Sequence, residues 1–127
     1  MKIPENIIKI LNGTIPKNEK ILYENRYFIL LIDPKNTNNV FHYTAWCKEN
    51  ISSLKYLDFN IFLEILNLKK ILIEKKIIKK DSLSFIHYPP NFYRLHIHFV
   101  GKNHIHNSPE NHIFDLDYIK KLFICKL

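Results

Sequence analysis

Apolar and polar positions alternate along residues 93–100. Tyr93, Leu95, Ile97 and Phe99 fall on one side, and Arg94, His96 and His98 on the other. Successive side chains of a strand point to opposite faces, so this pattern predicts a strand with one basic face and one apolar face. Runs rich in Ile, Leu, Tyr and Phe predict further strands over 21–25 and 27–32, joined as a hairpin near Asn25 and Arg26. Strands are also predicted over 40–47, which carries His42 and Trp46, and over 83–88. Ile61, Ile65, Leu68 and Leu72 recur at three- and four-residue spacing, predicting one long helix over 58–80 with Asp58 as N-cap. Shorter helices are predicted over 5–11, closed by Asn12-Gly13, and over 115–124.

Between these elements, residues 33–39 and 101–111 are polar loops. Residues 48–57 form a connection, and Pro89-Pro90 stiffens a tight loop before the alternating strand. The order is helix, three strands, long helix, two strands, helix. It predicts an α+β fold: an antiparallel sheet of about five strands, one long helix packed on it and short terminal helices. No repeat or linker divides the 127 residues, so a single domain over 1–127 is expected.

Composition changes this picture little. An apolar content of 46% belongs to a folded domain. No apolar run approaches the roughly 20 residues of a membrane span, and the first residues lack the apolar core of a signal peptide. An intracellular location and no membrane partner are the expectations. Two cysteines at no metal-ligand spacing are expected to stay reduced and unlinked. A net charge of +7 favours anionic partners, but the chain is crowded with Ile, Lys and Asn, and a compositional bias explains much of that excess. The lysines at 69, 70, 75, 76, 79 and 80 read as a solvated face, because no aromatic residues interleave with them as a nucleic-acid groove requires.

The chemistry gathers at the alternating strand. Two histidines two residues apart on a strand are, by themselves, more often a polar sheet face than a catalytic site. His96, His98, His104 and His106 form two His-x-His pairs, but no Cys or carboxylate accompanies them in sequence, and no metal or cofactor is assigned. His104, His106 and His112 read as loop residues, and His42 as an ordinary residue of its strand.

The segment His87-Tyr88-Pro89-Pro90-Asn91-Phe92-Tyr93-Arg94-Leu95-His96-Ile97-His98-Phe99 resembles the signature of the histidine-triad (HIT) family of nucleotidyl hydrolases and transferases. More narrowly it looks like that of the scavenger mRNA decapping branch, where the run is His-Tyr-(Pro/Leu)-Pro-Ser-Tyr-Tyr-His-(Leu/Phe)-His-(Val/Leu)-His. Lys9 to Pro16 and Ile21 to Asn25 look like the amino-terminal part of HIT domains. Leu31-Ile32-Asp33-Pro34-Lys35 is similar to the branch's base-reading Asp-Leu-Lys loop, and Ile51-Ser52-Ser53-Leu54 to its Ile-Arg-Ser-Leu.

The resemblance implies a HIT-like catalytic domain that acts as a nucleotide pyrophosphatase on 7-methylguanosine cap remnants or cap dinucleotides. The middle histidine, His96 by position, would attack phosphorus and carry a nucleotidyl-histidine intermediate. His98 would hold a non-bridging phosphate oxygen. His87, Asn91 and Arg94 would contact phosphate, and Asp33, Pro34 and Lys35 would line the base. Arg94 stands where the triad has its first histidine; an arginine can grip phosphate through its fork of donors but cannot shuttle a proton. Pro34 replaces a leucine, and no aromatic residue occupies the first helix at the place of the base-stacking tryptophan. The expected partners are a cap analogue or nucleotide, a short capped RNA fragment and a second copy of the chain in a homodimer, in the cytoplasm or also the nucleus. Two alternatives remain open: a general HIT hydrolase of dinucleoside polyphosphates or nucleoside phosphoramidates, and a degenerate cap- or nucleotide-binding module without turnover.

Overall fold

The structure is a computed structural model, and it describes residues 5–13, 20–34, 36–37, 41–49, 59–88, 95–102 and 112–115. Its elements are α1 (Glu5–Leu11), β1 (Ile21–Glu24), β2 (Phe28–Ile32), β3 (His42–Cys47), α2 (Phe59–Glu74), β4 (Leu83–Tyr88), β5 (His96–Val100) and β6 (His112–Asp115). The strands form one sheet in the order β1-β2-β3-β5-β4-β6, with every neighbouring pair antiparallel. The α+β class expected from the sequence is the class observed.

The hairpin between β1 and β2 is closed by Asn25. Its side-chain Oδ1 accepts from the backbone N–H groups of Tyr27 and Phe28, and its own N–H donates to the Phe28 carbonyl. A short amide that bonds its own backbone two and three residues on is a strong turn former. β3 and β4 are separated by β5 in the sheet, and the chain between them includes α2.

Alternation assigns the two faces. Phe28 and Leu30 of β2, Ala45 and Cys47 of β3, Ile97 and Phe99 of β5 and Ile86 of β4 share one face, joined by Leu95 just before β5. Against them pack Ile61, Phe62, Ile65, Leu68 and Leu72, the stripe of α2. The opposite face carries Ile29, Leu31 and Trp46, covered by Ile7 and Ile10 of α1. The histidines of β5 lie on this second face, away from α2.

Two expectations are corrected. The long helix ends at Glu74 and not at residue 80, so Lys75, Lys76, Lys79 and Lys80 are exposed residues of a turn. Lys76 takes a left-handed φ of 60°; its N–H donates to the Ile73 carbonyl and that of Ile77 to the Leu72 carbonyl. This double bond pattern is a Schellman cap, and it satisfies carbonyls that the helix end leaves open. Asp115, expected to start the last helix, ends β6, which pairs with β4 and adds a sixth strand to the sheet. The remainder of the predicted last helix, 116–124, lies outside the described residues, as does most of the connection 48–57. Among the described residues no helix is long and apolar enough to cross a membrane.

Candidate functional site

The site is built by strand register. Along one rung of the sheet Leu31, Thr44, His98 and Phe85 stand opposite one another on β2, β3, β5 and β4. Along the next, Ile29, Trp46 and His96 do the same. A third rung sets His42 opposite Val100, which places His42 diagonally beside His98. Facing and diagonal pairs across an antiparallel sheet lie within side-chain contact. The polar residues of β3 and β5 therefore meet although about fifty residues of chain separate them.

Both β5 histidines are buried, with 2% exposure at His96 and 7% at His98, and His42 is buried at 1%. Each β5 histidine ring is clamped by an aromatic neighbour. His96 stacks on Trp46 at 4.4 Å between centroids and 20° between planes. His98 stacks on Phe85 at 5.1 Å and 14°, and meets His96 edge-on at 4.9 Å. A ring held on one face by an aromatic keeps one plane and offers its edge nitrogens to whatever enters. That is the geometry a nucleophilic or oxygen-holding imidazole needs.

A polar network runs behind His98. Its Nδ1 lies 2.8 Å from His42 Nε2, within hydrogen-bond distance. Asp33 Oδ2 is 3.8 Å from the same His42 nitrogen and accepts from Thr44 Oγ1 at 2.8 Å. One proton sits between the two ring nitrogens, so the histidine pair holds at most one positive charge. The nearby carboxylate favours that proton on His42. His98 then accepts at Nδ1 and carries its own N–H at Nε2, a donor suited to a phosphate oxygen. The loop is fixed as well: the N–H of Asp33 donates to the His42 carbonyl, that of Asn36 to the Asp33 carbonyl, and that of His42 to Asn36 Oδ1.

The expected site residues are distributed as follows. His96 and His98 are brought together on β5, and Asp33, immediately after β2, reaches the same cluster through Thr44 and His42. Pro34 follows it in an exposed turn. His87 lies on β4 two residues beyond Phe85, opposite Ile113 of β6, and only its backbone is described. Lys35, Asn91 and Arg94 lie outside the described residues, as do His104 and His106. The sequence reading missed His42, Thr44, Trp46 and Phe85. A signal existed for the first three: they alternate along a strand of apolar neighbours, and a His and a Thr at buried alternate positions need polar company. Which strand supplies that company is a matter of register, which the sequence does not display.

The family model described as "Scavenger mRNA decapping enzyme C-term binding" matches residues 7–113. A comparison with curated proteins gives no match. Among solved structures, the chain is similar to a histidine triad protein from Clostridium difficile, with 20% identity and a TM-score of 0.62 over 85% of this chain and 100% of that one. It is also similar to a HIT family hydrolase from Clostridium thermocellum (19% identity, TM-score 0.59, 85% and 99% covered). A third is a HIT family hydrolase from Legionella pneumophila (16%, 0.59, 81% and 96%). At these identities the likeness is one of fold.

Proposed function

Because the chain belongs to the family of the scavenger mRNA decapping enzyme C-terminal domain and has the HIT fold, we propose that it is a HIT-type hydrolase that cleaves a phosphoanhydride in a 7-methylguanosine cap remnant or cap dinucleotide. The observation that carries this reading is the pair of buried, aromatic-clamped histidines on β5, with the Asp33–His42 network behind the second.

The chemistry assigned to these residues has two steps. A ring nitrogen of His96 attacks phosphorus; the N–P bond forms as the P–O anhydride bond breaks, and the leaving phosphate departs with the bonding pair. Water then attacks the same phosphorus, breaks the N–P bond and releases the nucleoside monophosphate. His98 donates its N–H to a non-bridging oxygen whose charge grows as phosphorus gains a fifth ligand. Trp46 keeps the His96 ring in plane. Asp33, Pro34 and Lys35 line the base, and His87, Asn91 and Arg94 serve the phosphates, with Arg94 acting as a charge clamp and not as a proton carrier.

Hydrolysis of a panel of methylated cap dinucleotides, unmethylated cap dinucleotides and dinucleoside polyphosphates, with products separated by chromatography, tests the reading. Methylated caps are expected to be cleaved fastest. Equal rates would replace cap specificity with general HIT hydrolysis. A second reading, binding without turnover, is favoured by Arg94 at the first triad position. Tight binding without product, with turnover restored by Arg94→His, would establish it.

A further inference from the structure

We propose that Asp33, His42 and His98 form a binding site for a divalent transition metal of the zinc type. Their ligand atoms, a carboxylate oxygen and one ring nitrogen from each histidine, all lie within 4.8 Å of one another. The two nitrogens are 2.8 Å apart, and the carboxylate oxygen is 3.8 Å from that of His42. Ligand atoms that each lie about 2.0–2.2 Å from one zinc ion sit roughly 3–3.5 Å from each other, so the two histidine nitrogens have to part by only a few tenths of an ångström. The partly buried Asp33 carboxylate, 3.8 Å from the His42 nitrogen and within 4.8 Å of that of His98, has to close in on both to complete the set.

Two histidines and one carboxylate are a donor set that zinc and its neighbours in the first transition row accept, with coordination positions left over for water or a phosphate oxygen. The donors are supported from behind. Thr44 Oγ1 donates to Asp33 Oδ2, as an outer partner orients a ligating carboxylate. Two backbone bonds, and a third from the His42 N–H to Asn36 Oδ1, tie Asp33, Asn36 and His42 to one another, so the donors stand on fixed supports. This set is not the one that the sequence offers as His-x-His pairs. It contains one member of each of two strands and a loop carboxylate.

Binding balances without an added reagent. In the neutral pair one proton lies between His42 Nε2 and His98 Nδ1. The metal takes that place, and the proton moves to His42 Nδ1, so both rings remain neutral. When the pair carries its single positive charge, one proton is released instead, and binding weakens as the pH falls.

The test is a Co2+ titration of the full chain after chelator treatment, followed by visible d–d absorption and calorimetry, with folding of every variant checked by circular dichroism. One Co2+ per chain is expected, with absorption intensity typical of a four- or five-coordinate site, displaced by Zn2+. His42→Asn and Asp33→Asn are expected to weaken binding by more than about 100-fold, and Thr44→Val, which leaves all three ligands in place, by about 10-fold. Binding unchanged in folded His42→Asn, or lost in His104→Ala/His106→Ala while His42→Asn retains it, would overturn the site. Metal binding is read here without any substrate, so a failure to hydrolyse nucleotides leaves this result intact.

Discussion

At the scale of single residues, Trp46 is the most informative neighbour of His96. It is the chain's one tryptophan, and it stacks on the proposed nucleophile at 4.4 Å. Its fluorescence therefore reports on a single ring. Adding substrate to the protein is expected to shift Trp46 emission, and the shift is expected to vanish in His96→Asn; a shift that persists in that variant would place its origin elsewhere. The proposed mechanism gives His98 a different task. Replacing a donor that holds developing phosphate charge typically costs about 100–1,000-fold in rate. His98→Ala is thus expected to lower kcat by about that factor with little change in KM, as steady-state kinetics would show. A loss confined to KM would make His98 a ground-state contact instead.

At the scale of elements, α2 and its cap decide how the histidine strand is supported. Leu68 is fully buried between the helix and the sheet face that β5 shares. Leu68→Ala is expected to destabilise the fold by about 3 kcal/mol in urea unfolding, through lost burial and the cavity left behind. A change below about 1 kcal/mol would mean that the helix does not pack there as described. Lys76 sits at a left-handed φ, where a Cβ is strained. Lys76→Gly is expected to stabilise by about 0.5–1 kcal/mol, seen as a raised melting temperature. That same residue explains why the helix end was not legible. Helices that stop in this manner usually announce it with glycine; here the position is lysine, and Ile77 and Ile78 carry the apolar spacing onward while packing on the core from a turn. The strands were clearer. The spans read from apolar content for β1, β2, β3 and β4 agree with those observed to within one or two residues at their ends. β6 gave no alternation long enough to separate it from the polar loop before it.

At the scale of the whole molecule, the sheet order brings the site together. β3 and β5 are neighbours although α2 and β4 intervene in sequence, and that adjacency joins His42, Thr44 and Trp46 to His96 and His98. The alternation of β5 and the match of its histidines to a family signature were visible in the chain. The network behind them was not, because it depends on which strands pair and in what register, and a shift of one residue would turn every one of these side chains to the other face. Assembly belongs to this scale too. We propose a homodimer, and light scattering is expected to give twice the 15.3 kDa of the chain at micromolar concentration. A mass of 15.3 kDa throughout the accessible range would remove it.

In the proposed mechanism His96 carries the nucleotide during turnover. Rapid mixing of the protein with a labelled methylated cap dinucleotide, an alkaline quench that preserves N–P bonds, and peptide mass spectrometry test it most directly. A nucleotidyl adduct on His96 that forms and decays at rates consistent with product release is expected, and none in His96→Asn. Product formed without any adduct, or an adduct on another residue, would contradict it.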